Sequence, residues 1–353
     1  MMYQEETDDA IALLQQMIAI SSFSKEEKTL ANFLERFIEI KGYVASRKDN
    51  NVWALSPGFD PARPTILLNS HIDTVKPVSA WTRDPFSPSI ERGKLYGLGS
   101  NDAGGSVVSL LFAFFFLTQK QQNYNLIFAA SAEEEISGKN GMESLLLELP
   151  KIDFAIVGEP TNMNMAVAEK GLMVLDCVAH GRSGHAARSE GDNAIYKALT
   201  AIEWFRTFEF EKKSELLDAI KMTVTQINAG TQHNVIPDLC SFVVDVRSNE
   251  MYSNQEILDI IRKQVSCDVN ARSTRLSSTA TPLNHPIVRR GRELNRKMYG
   301  SPTLSDQALI PFPSLKMGPG GSARSHTADE YILLDEIGEA IETYIRLLDE
   351  LTF

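Results

Sequence analysis

Residues 65–75 read TILLNSHIDTV. The apolar start suits a buried strand, and it stops where His71 and Asp73, two groups able to bind a metal or a proton, stand two residues apart. LIFAAS at 126–131 and FAIVGE at 154–159 have the same form. Helical segments lie between at least the first two runs, the pattern of a mainly parallel sheet with helices on its faces. Each run ends in acidic or histidine residues, and open α/β sheets bind ligands beyond the carboxyl ends of their strands.

Working outward, Thr7 is placed to cap a helix with Ile11, Leu14 and Ile18 on one face. Ser24 and Glu27 have capping-box spacing before a helix carrying Leu30, Phe33, Leu34 and Phe37, which Gly42 ends. VVSLLFAFFFL at 107–117 is well short of the roughly 20 residues that span a membrane, and reads as a buried helix. From about residue 171 the texture changes. LMVLDCVAHG and SFVVDVRS mix alternating and continuous apolar runs, near helix-like NAIYKALTAIEWF and NQEILDIIRKQV. STATPLNHP at 278–286 leads back to the first domain, whose last helix carries Ile337, Ile341, Tyr344, Ile345 and Leu348. The expected fold class is α/β: a mainly parallel sheet flanked by helices from residues 1–170 and 282–353, with an inserted α+β domain at 171–281.

The chain has 353 residues, 43% hydrophobic and 23% charged, ordinary for a soluble globular protein of one or two domains. A net charge of -11 without a basic stripe argues against nucleic-acid and anionic-membrane partners. Cys177, Cys240 and Cys267 are odd in number and lack CxxC spacing, which fits a reducing cytosol. The acidic start, MMYQEETDDA, carries no export signal, so a cytoplasmic location is expected.

Four other places repeat the His71 arrangement: LGSNDAGG with Asp102, SAEEEISG with Glu133, Glu134 and Glu135, VGEPT with Glu159, and SARSHTADE with His326. Any one alone reads as a solvated loop residue or a structural histidine. Together they would crowd carboxylates at one end of one sheet, and a divalent cation relieves that repulsion. Imidazole with carboxylate suits zinc, with cobalt or manganese as substitutes. A serine nucleophile is less well supported, since Ser183 and His185 in GRSGH lie outside any GxSxG elbow.

The ordered set SHIDTV, GSNDAGG, AEEEISG, GEPT, GRSGHAA, HNVIPD, DVR and GPGGSARSHTADEY resembles the zinc-dependent aminoacylase and carboxypeptidase family. That family includes acetylornithine deacetylase and succinyl-diaminopimelate desuccinylase, and the resemblance spans essentially the whole chain. It implies two zinc ions bridged by Asp102, one also held by His71 and Glu159, the other by Glu135 and His326. Asp73 would accept the other ring N–H of His71. Aligned on Gly138, Glu134 is the general base, Glu135 the ligand and Glu133 the less constrained acid. Zinc lowers the pKa of bound water, and the base takes its remaining proton and delivers it to the leaving amine.

In the inserted domain the resemblance implies a homodimer in which His185 reaches the partner subunit's site and holds the oxyanion. Asn234 would contact substrate across the dimer, Arg247 can hold a carboxylate bidentately, and Lys170 is a basic substrate contact. One departure is Gly321, where many relatives carry an acid; nearby, Arg324 adds a positive charge able to meet a substrate carboxylate. Within the family the chain is most similar to acetylornithine deacetylases, implying hydrolysis of N-acetyl-L-ornithine in arginine biosynthesis. Succinylornithine, acetylcitrulline, acetyl-lysine, succinyl-diaminopimelate and dipeptides are the alternative substrates. A non-catalytic binding protein on the same scaffold is the rival of a different class, and the complete set of expected ligands and base counts against it.

Overall fold

The TILLNSH run forms a strand, Thr65–His71, in which every residue is buried. It pairs in parallel with Asn125–Ser131 on one side and Phe154–Val157 on the other. Ser314–Lys316 extends the parallel set beyond Phe154–Val157. Antiparallel strands lie on both sides: Asn51–Leu55 and then Ala45–Lys48 at one edge, and on the other side Met165–Glu169 beside Ser314–Lys316, followed by Thr279–Ala280. Burial on both faces explains why the central strands are continuous apolar runs rather than alternating ones. Phe128 meets Phe114 of the helix Gly105–Leu117 on one face, while Leu67, Ile127, Ala129 and Val157 pack with Met142 and Leu145 on the other.

The computed structural model describes residues 3–352. They form two compact units, one of Met1–Val167, Thr281–Tyr299 and Ser305–Phe353, the other of Ala168–Ala280 and Gly300–Leu304. The second unit therefore starts before residue 171 and takes in a short later segment, whose Ser301 carbonyl accepts the Lys170 N–H at 3.0 Å. Its antiparallel sheet runs Lys221–Ala229, Leu239–Ser248, Gly171–His180, Asp268–Ala271. The helices Ala194–Thr207 and Asn254–Gln264 contribute Ala198, Phe205, Ile257 and Ile261 to its core, beside Leu175, Phe242 and Val244.

Two local expectations are corrected. The first helix spans Gln4–Ile18, so Thr7 lies inside it, its hydroxyl donating to the Tyr3 carbonyl at 2.7 Å. The second spans Lys28–Ile40 without a Ser24–Glu27 capping box, because both side chains are engaged elsewhere. Ser24 Oγ donates to Asp73 Oδ2 at 2.7 Å, and Glu27 accepts the Glu133 N–H at 3.2 Å. Ser100–Leu117 has the length and mean hydropathy of a membrane span, yet 89% of it is buried inside the protein. Non-helical backbone at Asp102 and Ala103 also breaks it.

Candidate metal centre

All four parallel strands send residues toward one end of the sheet of the first unit. His71 ends its strand, Glu133–Glu135 follow Ser131, Glu159 follows Val157, and His326 stands beyond Ser314–Lys316. His71 is buried, with Nδ1 placed 2.9 Å from the Asp73 carbonyl oxygen, to which the ring N–H donates. The Asp73 carboxylate lies farther off, at 3.5 Å. Asp73 thus fixes the imidazole mainly through its main chain. Nε2, left to face the cluster, is 3.2 Å from Asp102 Oδ1 and 3.8 Å from Glu159 Oε1.

The Asp73 carboxylate instead supports the glutamate turn. It accepts the backbone N–H groups of Glu134 at 2.9 Å and Glu135 at 3.1 Å, together with the Ser24 hydroxyl. The three glutamates are thereby sorted. Glu133 is buried in left-handed backbone, φ +55°, and its carboxylate accepts from the Asn140 side-chain amide at 2.9 Å. It is therefore tightly held rather than the least constrained of the three. Glu134 groups with His71 and Glu159, one ligand atom from each lying within 4.8 Å of the others, and His71, Asp102 and Glu135 form a second such group.

His326 is half-exposed, at φ +57°, with Nε2 2.9 Å from Glu135 Oε2 and 3.8 Å from Asp102 Oδ2. Each oxygen of Asp102 thus faces a different imidazole. Gly318 stands close against the Glu159 main chain, where a Cβ would lie 2.6 Å from the Glu159 carbonyl oxygen. The environment favours positive charge. Burial, with Asp102 adding to it, pushes Glu159 up to about 8. Burial also lifts Glu134 well above the carboxylate range, with Glu159, Asp306 and Glu135 contributing. The bond to Glu135 raises His326 to about 9. For His71 burial pulls down, but Asp102 and Asp73 lift it well above the imidazole value. Two imidazoles among four converging carboxylates are a donor set that fits divalent cations, and the cluster is a candidate metal site.

Of the remaining sequence candidates, Lys170, His185, Asn234 and Arg247 belong to the second unit. His185 and Asn234 are exposed in the second unit, on the short ladder Gly184–His185 with Val235–Ile236, where Ala186 N–H donates to the Asn234 carbonyl. Arg247 closes a two-pronged pair with Asp245 of its own strand, at 2.8 and 3.1 Å. Lys170 Nζ donates to the Ala219 carbonyl. Arg324 is engaged within the chain: its guanidinium forks onto Glu336 at 2.6 and 3.0 Å and lies over the Tyr331 ring. That pairing ties the segment to the last helix, Leu334–Leu348.

Three supporting acids escaped the sequence reading. Asp306 is buried, accepts from Ser131 Oγ at 2.6 Å and Asn69 Nδ2 at 3.0 Å, and is pushed up to about 6 by burial. Glu27 braces the Glu133 backbone. Glu330 accepts N–H groups from the loop that carries Asp102, and burial raises it to about 8. In the sequence only the HTADE context hinted at Glu330, since its partners lie some 230 positions away.

The sequence matches peptidase family M20/M25/M40 over residues 67–350, a span that contains every residue of the cluster. It is 27% identical over 350 residues, 96% of this chain and 94% of the relative, to a Sulfurisphaera tokodaii protein described as a LysW-lysine/LysW-ornithine hydrolase. In fold it is similar to the aminopeptidase PepT of Bacillus cereus, with TM-score 0.78, 18% identity and 98% of each chain covered. It is also similar to the YXEP protein of Bacillus subtilis, a dinuclear metal-binding peptidase, with TM-score 0.74, 16% identity and 98% of each chain covered. With most of its length matched, including the strand ends that carry the acidic and imidazole cluster, the chain belongs to peptidase family M20/M25/M40 and is a hydrolase of amide bonds in amino-acid derivatives.

Proposed function

We propose that this hydrolase removes the acyl group from an N-acyl amino acid, with N-acetyl-L-ornithine giving L-ornithine and acetate. The observation that carries the catalytic part is Asp102, one oxygen toward His71 and the other toward His326. His71 and Glu159 would hold one divalent ion, Glu135 and His326 the other, and Asp102 would join them. Zinc fits this donor set, with cobalt or manganese able to replace it. When bound, such ions polarise the amide carbonyl and make water a competent nucleophile near neutral pH.

The chain's own groups do the proton work. Glu134, on a turn fixed by Asp73, takes a proton from the attacking water and returns it to the leaving amine. No covalent intermediate is needed. The ornithine assignment is supported by the Sulfurisphaera relative, whose description includes ornithine, and on this reading the enzyme serves arginine biosynthesis in the cytoplasm.

The same reading makes the protein a homodimer through its second unit. In support, the edge strand Lys221–Ala229 is largely exposed, and Tyr196 and Leu199 present 70% and 52% of their surface. His185 and Asn234 would then serve the partner subunit's site, where His185→Ala should lower kcat by about 10²- to 10³-fold.

The test is amine release from N-acetyl-L-ornithine and N-succinyl-L-ornithine, side by side. The acetyl substrate should be cleaved faster. A succinyl preference would keep the mechanism and overturn the acyl assignment, and cleavage of neither would overturn the ornithine assignment in favour of dipeptides.

A further inference from the structure

We infer that Glu330 is a positioning residue that sets where the Asp102 carboxylate stands between His71 and His326, and so governs retention of the ion that Asp102 and His326 would share. The inference rests on the metal reading given above. Glu330 is 2% exposed, and both of its carboxylate oxygens are engaged by main chain. Oε1 accepts the N–H groups of Asn101 at 2.8 Å and Asp102 at 3.0 Å, and Oε2 accepts that of Gly99 at 3.2 Å.

These N–H groups need such an acceptor. Gly99 is left-handed at φ +74° and Asp102 is extended, at φ -124° and ψ 95°, so the loop has left the helical path in which preceding carbonyls would accept them. One carboxyl group gathering three donors holds three main-chain positions of the loop to a single point.

Glu330 also belongs to the segment that carries His326. Asn101 ties that segment to the loop a second time: its Oδ1 accepts the Gly321 N–H at 3.1 Å, and its Nδ2 donates to the Gly321 carbonyl and to Ser325 Oγ, both at 3.3 Å. The next residue, Tyr331, lies under the Lys94 ammonium, 4.0 Å from the ring centre. Its strand, Tyr331–Leu333, pairs with Lys94–Tyr96. The bonds from Glu330 thus fix the Asp102 loop against the His326 segment, although Glu330 touches neither side chain.

Glu330→Gln would leave one carbonyl for two of the N–H groups and set an amide NH₂ against the third. Glu330→Asp keeps the carboxyl group but falls one methylene short. Both variants and the wild type, freed of metal by chelation, are titrated with Co²⁺ and followed by the visible absorbance of the bound ion. Amide exchange is measured in parallel on peptides covering residues 97–103. The expected result is a 10- to 100-fold loss of affinity for the weaker-bound Co²⁺ in the Gln variant, with faster exchange over 97–103 even without metal. Lower thermal stability with unchanged Co²⁺ affinity and spectrum would reduce Glu330 to a structural role and overturn the inference. Absence of Co²⁺ binding by the wild type would overturn the metal reading together with it. If the Gln variant does not fold, the Asp variant decides by the same two readouts.

Discussion

Replacing Asp73 by alanine withdraws one buried acceptor from three donors: the Glu134 and Glu135 N–H groups and the Ser24 hydroxyl. Hydrogen bonds to a charged acceptor contribute about 1.5–3 kcal/mol each, so complete loss would cost roughly 4.5–9 kcal/mol. Water entering the vacated space restores part of this, and we expect a net loss of about 3–5 kcal/mol. The pH dependence has a definite sign. Burial opposes ionisation of Asp73, but His71, Ser24 and the Glu134 N–H hold its carboxyl below the usual range. A group depressed in the folded state stabilises above its unfolded value, and that stability is lost as pH falls through the folded one. The gap between wild type and variant should therefore be constant above about pH 5 and shrink below about pH 4. The assay is urea unfolding of chelated protein in a Trp204→Phe background, so that Trp53 and Trp81 report on the first unit alone. Because the turn holding Glu134 is loosened, kcat should fall more than KM rises. A stability loss below about 1 kcal/mol with kcat intact would refute the reasoning.

Other substitutions separate the roles assigned above. Glu134→Gln should lower amide hydrolysis by about 10²- to 10⁴-fold while Co²⁺ still binds, and a parallel loss of Co²⁺ would make Glu134 a ligand instead. Arg324→Leu should lower stability by about 1.5–3 kcal/mol through the lost Glu336 fork, leaving KM within twofold. A large rise in KM would return Arg324 to the substrate. Phe128→Ala opens a cavity between the sheet and the helix Gly105–Leu117, and should cost about 3–5 kcal/mol in the same urea assay with kcat unchanged per folded molecule.

How much of this was legible in the sequence depends on how local each cause is. Thr65–His71 could be read because its apolar run and its terminal histidine are contiguous, and the same holds for Asn125–Ser131 and Phe154–Val157. The strand ends then bring His71, Glu134, Glu135 and Glu159 together by topology alone. What could not be read were the partners that distant segments supply. Ser24 looks like a helix cap until Asp73, 49 positions on, claims its hydroxyl. Arg324 looks free until Glu336 takes its fork. Glu133, Glu134 and Glu135 look alike until Asn140 turns the first away from the cluster. Glu330 looks like a loop acid until the Asp102 loop folds over it. In each case a tertiary contact competes with a local propensity and prevails over it.

The central claim is that the His71, Asp102, Glu135, Glu159 and His326 cluster holds two divalent ions on which amide hydrolysis depends. Its most direct test is to titrate chelated protein with Zn²⁺ while following amine release from N-acetyl-L-ornithine. The account predicts negligible release at the start and a rise to a plateau at two zinc ions per chain. Release undiminished by chelation, or a full plateau at one ion per chain, would contradict it.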